Sequence, residues 1–97
     1  MNKAVSEGEN QPHTAGEIRE HMMVHAMGEG SHNGVEGVHV GTVDCIEGVY
    51  IKLTKSDSPD GKHHLIPLAW VAKVDPERNV VFLNKDPETV RNEWHEV

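Results

Sequence analysis

Eight histidines stand in 97 residues: His13, His21, His25, His32, His39, His63, His64 and His95. Imidazole is a ligand for zinc and its neighbours in the periodic table, and it titrates near pH ~6.5. Protonating all eight would carry the formal charge from -7 to +1, so the surface charge responds to mild acid. His21 and His25 share one face whether the segment is a helix or a strand. With His39, His63 or Asp57 as a third ligand they form a candidate metal site. His63 and His64 are weaker candidates, because neighbours on a strand point to opposite faces and chelate one ion only if the strand ends between them. The metal-ligating candidates are therefore His21, His25, His63, His64 and Asp57, against the alternative of solvated or hydrogen-bonded histidines.

The stretch "DSPDGKHHLIPLAWV", Asp57 to Val71, gathers two carboxylates, a Pro-Asp-Gly turn and the histidine pair. A calcium loop does not fit it: with Gly61 at the sixth position, Ser56 and Pro67 would stand where the first and last carboxylates belong. Asp57 and Asp60 flank a turn that uses aspartate for its own backbone bonds. Cys45, the single cysteine, is expected to point into the core beside Val43 as a small hydrophobe. The sequence offers no nucleophile, base and oxyanion loop in combination. No catalytic residue, cofactor or enzymatic activity is expected.

The elements that must position these groups are short. Residues 1–17 are polar and Gly-rich and are expected to form a flexible tail. Thr14 and Glu17 have capping-box spacing for one helical turn. "HMMVHAM" is read as a strand, "GEGSHNG" as a loop, and "VEGVHVGTVDCI" as a strand whose inward parity switches at Gly41, the signature of a β-bulge. "VYIKLTK" alternates, with Val49, Ile51 and Leu53 inward. Ser58 to Gly61 suits a turn, and the strand "KHHLIP" places His64 with Ile66 on the inner face and His63 on the outer one. "LAWVAKV" turns briefly and becomes a strand, "DPERN" is a turn, and "VVFL" is a strand. In "DPETVRNEWHEV", Asp86 is the N-cap and Pro87 the first helical residue, with Val90, Trp94 and Val97 forming the docking stripe. The fold class is thus mostly β: a small antiparallel barrel of about six strands over residues 18–85, followed by a short helix over 86–97.

The runs "VGTVDCIEGVYIKLTKSD", "HHLIPLAWVAKVD" and "VVFL" resemble the PRC-barrel superfamily. Within it they are similar to a bacterial domain family of unknown function marked by Lys-Leu-Thr-Lys, Asp-Gly-x-His-His and Ile-Pro-x-x-Trp-Val. The resemblance covers roughly residues 20–85 and matches Gly41, Val43, Ile66, Pro67 and Val71, which are structural residue types. It implies a six-stranded barrel used as an adaptor surface, as in the photosynthetic reaction-centre H subunit and a ribosome-maturation factor.

A non-enzymatic protein-binding or self-assembling module is the expectation, with Lys52, Lys55, Lys62, His63 and Trp70 as the partner surface. A histidine-based metal-binding or pH-responsive protein is the alternative, and an RNA-processing accessory domain a weaker one. The charge of -7 argues against direct nucleic-acid binding. One cysteine, no apolar leader and no apolar run of membrane-spanning length point to a cytoplasmic protein with no membrane partner. Trp70 is expected to close the barrel end and Trp94 to dock the helix, unless Trp70 is exposed as a contact residue.

Overall fold

In a computed structural model, the structure describes residues 17–97. It holds seven strands: β1 (Met23–His32), β2 (Val35–Glu47), β3 (Tyr50–Leu53), β4 (His64–Pro67), β5 (Val71–Asp75), β6 (Val80–Leu83) and β7 (His95–Glu96). Among the described residues there is one α-helix, α1 (Pro87–Glu93), which precedes β7. The sheet order is β5-β6-β1-β2-β3-β4-β7. It is mostly β as expected, but the order is linear, with β5 and β7 at its two ends and no ladder between them. The sheet nonetheless curls. β4, sixth in the order, reaches β5, first in it, through one short 3-10 turn, Leu68–Trp70. That connection spans at most about 14 Å, so the two sides must approach each other around the core.

β2 makes the curl possible. Its first half pairs with β1 and its second half with β3, and a register shift interrupts each ladder. Against β1 the extra residue is Val40, since Val24 faces Gly41 and His25 faces His39. The parity switch read from the sequence is this bulge, one residue from the predicted place, and it buries both Val40 and Val43. At Gly41 an added Cβ would lie 2.9 Å from Leu53 Cδ1, so the bend also lets β3 approach closely. A second bulge at Asp44, between the Val43–Leu53 and Cys45–Lys52 pairs, was not foreseen. It resets the parity again. Ile46 packs against the core, and Cys45 is only half-buried and outside the core cluster, contrary to expectation.

The segment "GEGSHNG" is not a loop. β1 runs to His32, and the reversal is confined to Asn33 (φ 53°) and Gly34 (φ 78°). Two successive left-handed residues make the primed two-residue turn that matches the twist of a hairpin, and Asn-Gly is its strongest sequence signal. Three surplus residues of β1 lie between the Ala26–Val38 and Ser31–Glu36 pairs, where Gly28 and Gly30 absorb a bend. Seven extended residues would separate His25 from His32 by about 23 Å. Their ring centres stand 5.9 Å apart, because the three surplus residues shorten the strand's path along β2.

β6 enters parallel to β1, pairing Val80 with Met23 and Phe82 with His25, so the apolar "VVFL" is flanked by a strand on each edge. Asn79 at φ 62° ends the preceding turn and donates to the His21 carbonyl. The core is built from Met22, Val24, Ile51, Leu53, Ile66, Val81, Leu83 and Val90. Two further expectations need correction. Val49 is 66% exposed in the Gly48–Val49 turn, because Gly48 takes φ 62° and β3 begins only at Tyr50. The helix ends at Glu93, where Trp94 turns extended and the chain pairs with β4 as β7, leaving Val97 exposed. Asp86 and Pro87 do open that helix, with Thr89 Oγ1 donating to the Asp86 carboxylate. The proposed capping box falls on Thr14, outside the described residues.

Candidate functional site

Two clusters of polar side chains draw on the loop after β3, one through Asp57 and one through Ser58 and Asp60. The first is the turn at Ser58–Gly61. Gly61 N–H donates to Ser58 O at 3.2 Å, closing the turn that Pro59 and the left-handed Gly61 (φ 71°) favour. Asp60 then staples it. Its carboxylate accepts from Ser58 Oγ at 2.7 Å and from Lys62 N–H at 3.1 Å, and it meets His64 Nε2 at 3.2 Å. Ser58 foremost, then the Lys62 amide and His64, hold this carboxyl below its ordinary range against a smaller opposing effect of desolvation. His64 is 1% exposed, as its alternation with Ile66 predicts. Its ring stacks on Trp94, with centres 3.9 Å apart and planes 14° from parallel, and its Nδ1 lies 3.3 Å from Ser58 Oγ.

Serine, histidine and aspartate in contact invite comparison with a hydrolase. The proton of Ser58, however, is directed at Asp60 and not at the imidazole, and the ring that would act as base is sealed beneath Trp94. The β4–β7 ladder sets Glu96 opposite His64. Asp60, His64 and Glu96 bring one ligand atom each within 4.8 Å of the others, a grouping of metal-binding type. Lys62 Nζ sits 3.5 Å from Glu96 Oε1, so a cation already serves this carboxylate.

The second cluster joins β1, β2 and the loop after β3. Asp57 Oδ2 accepts from Thr42 Oγ1 at 2.6 Å and from His39 Nε2 at 2.5 Å. Burial pulls the Asp57 carboxyl upward, but the Thr42 and His39 hydrogen bonds outweigh it and leave the group below its usual value. On the other side of His39 the His32 ring stacks with centres 4.1 Å apart. His25 meets both rings edge-on, at 5.3 Å from His39 and 5.9 Å from His32. His25 is wholly buried and donates through Nδ1 to the Glu36 carbonyl at 2.9 Å. Burial is the main cause that lowers its pKa, opposed by the Glu36 carbonyl and reinforced by His39 and His32. Beside this cluster opens a cavity of about 320 Å³ lined by His39, Val40, Asp57, Pro59 and Arg91, with Ser56 and Ser58 between them.

Of the metal candidates read from the sequence, His21 and His25 are not brought together. His21 is exposed in a left-handed turn (φ 72°) before β1, whereas His25 is in the core. His63 and His64 diverge as strand geometry requires: His63 Nδ1 lies 2.8 Å from Leu53 O and 3.7 Å from Asp44. Asp57 meets His39, not His63 or His64. On the predicted partner surface, Lys52 pairs with Glu47 and Lys62 with Glu96, and Lys55 is exposed. Trp70 is half-buried against the core, at the 3-10 turn. The residues missed are His32, Thr42, Glu36, Arg91 and Glu96. The Asn-Gly turn could have paired β1 with β2, but the three-residue surplus that returns His32 to His39 has no comparable signal in the sequence.

Residues 18–91 match the model of a family described as an uncharacterized protein conserved in bacteria (DUF2171). The match takes in the whole second cluster and leaves Trp94 and Glu96 of the first outside it. No curated protein matches, and no solved structure does.

Proposed function

The chain belongs to that bacterial family, and from this premise we propose that it is a non-enzymatic binding module, presenting the concave face around His39, Ser56, Asp57, Pro59 and Arg91 to a protein partner. The observation that carries the reading is the state of the turn-borne polar groups. Ser58, Asp60 and His64 satisfy one another within the turn and shape a rim, while the adjoining cavity offers both a carboxylate and a guanidinium to a visitor. Such a rim suits recognition on a rigid scaffold better than turnover. The PRC-barrel likeness supports it by analogy: Val40 to Val43 form the β2 bulge and Ile66 to Val71 the 3-10 crossing, so the motifs that carry the likeness are used to build the curl. No helix among the described residues is long and apolar enough to cross a membrane. We place the module in the cytoplasm on its single thiol and its composition.

Photo-crosslinking tests this. A benzophenone side chain at Ser56 or Pro59 is expected to capture one defined partner, or a second copy, and the same probe at Glu77 is not. Arg91→Glu should abolish the capture. No capture from either rim position, together with light scattering of an unchanging monomer from pH 5 to 8, would refute the proposal. So would ester hydrolysis above background that Ser58→Ala removes.

A further inference from the structure

We propose that His25, His32 and His39 form a binding site for one divalent transition-metal ion of the zinc, nickel or copper class. The inference shares His39 and Asp57 with the partner face above but does not rest on that reading; it rests on which ring nitrogens are engaged. Glu36 O is a carbonyl and can only accept, so His25 Nδ1 carries the proton. Its Nε2 is then a lone pair, and it is buried without a hydrogen-bond partner. His39 is the same arrangement with the nitrogens exchanged. Asp57 Oδ2 already accepts from Thr42, and a carboxylate oxygen accepts from the ring as well, so His39 Nε2 is the donor. His39 Nδ1 is left as a second buried, unpartnered lone pair.

Each ring thus has one nitrogen anchored to an outer oxygen, a backbone carbonyl for His25 and a carboxylate for His39. This is the support that metal-ligating histidines almost always have, because it fixes the tautomer and turns the free nitrogen inward. A buried imidazole nitrogen without a donor is otherwise a net cost to the fold, and here two such atoms occur on cross-strand partners. The spacing of the rings agrees. In a tetrahedral site with zinc–nitrogen bonds of about 2.0–2.1 Å, ring centres stand roughly 5 Å from one another. The His25–His39 separation, between the two rings that stay in place, is 5.3 Å.

His32 is the ligand that must move. Two rings stacked 4.1 Å apart, only 20° from parallel, cannot both aim in-plane lone pairs at one ion. His32 is exposed, and no hydrogen bond holds it among the described residues, so a change of rotamer frees it. The fold keeps it in reach, since the Gly28–Gly30 bend and the Asn33–Gly34 turn return it to His25. The Asp60, His64 and Glu96 grouping is the poorer site despite its closer ligand atoms. His64 Nε2 already faces the Asp60 carboxylate, and Lys62 serves Glu96.

The experiment uses the tag-free full chain. Long-range nitrogen–proton NMR at pH 7.5, without metal, should show His25 protonated at Nδ1 and His39 at Nε2. Calorimetric titration with zinc, repeated with cobalt for its visible spectrum, should give one equivalent bound with Kd below about 10 μM. His32→Ala and His39→Gln should each weaken binding at least ~10-fold, Asp57→Asn by ~10-fold, and Glu96→Gln not at all. His25 variants are avoided because that residue is in the core. The opposite tautomers, no binding tighter than ~100 μM, or zinc binding lost in Glu96→Gln and retained in His32→Ala would each overturn the assignment.

Discussion

Trp94→Ala tests how the C-terminal residues are held. Trp94 is half-buried, covers the ring of His64 at 3.9 Å and ends α1 through its N–H to Val90 O. Truncating a fully buried tryptophan costs about 3–5 kcal/mol. Trp94 is incompletely buried, so somewhat less than that is at stake here, to which an aromatic pair adds roughly 0.5–1.5 kcal/mol. The expected loss is therefore about 2–4 kcal/mol, or a fall in Tm of roughly 10–30 °C for a domain of this size. Trp70 remains as the fluorescent reporter, so urea unfolding of both proteins reads the difference from the midpoints at a common slope. Trp94→Phe, which keeps a stacking ring, should recover at least half of the loss. A deficit below about 1 kcal/mol for Trp94→Ala, or no recovery with phenylalanine, would show that the stack does not secure β7 to β4.

Three other outcomes follow from the fold. Gly41→Ala puts a Cβ 2.9 Å from Leu53 Cδ1 in the core, and should cost about 1–2 kcal/mol in urea unfolding, with the slope unchanged. Gly34→Ala forces a side chain into φ 78° at the hairpin turn, with nothing near it to clash; thermal melts should show a loss of about 1 kcal/mol. For metal-free protein, burial lowers the pKa of His25 from an ordinary value near 6.5, among His32, His39, Phe82 and the Glu36 carbonyl. The unfolded chain then binds more protons, so the stability contributed by neutral His25 is present above pH ~6.5 and is lost as pH falls through its folded value. Urea midpoints flat from pH 7.5 to 5 would contradict this.

How much of this could be read from the residues depended on the range of the contacts. Local signals transferred well: the turn at Ser58–Gly61, the alternation that buries His64 with Ile66, the Asp86–Pro87 helix start and the parity switch next to Gly41. Asn33-Gly34 was as local as these, but it lay among so many loop-forming residues that the hairpin was hidden. The rest was decided by pairing. Helical spacing suggested that Val97 continues α1, yet the open edge of β4 captures residues 95–96 as a strand. Cys45 follows the local alternation until Asp44 bulges against β3. The metal candidates suffered most, because His21–His25 is a sequence neighbourhood, whereas His25, His32 and His39 are a product of two irregular strands.

The parallel β1–β6 ladder sets a limit on when the protein can form. Met23 pairs with Val80 and His25 with Phe82, so the central strand has no second neighbour until a partner made more than fifty residues later has arrived. During synthesis β1 and β2 can pair early, but their hairpin would leave the inner face of β1 and the buried imidazole of His25 uncovered on the β6 side. Pairing at such sequence separation is slow and exposes a strand edge while it waits. A nascent chain stalled before residue 80 should therefore be open to protease, and become protected only once β6 has emerged.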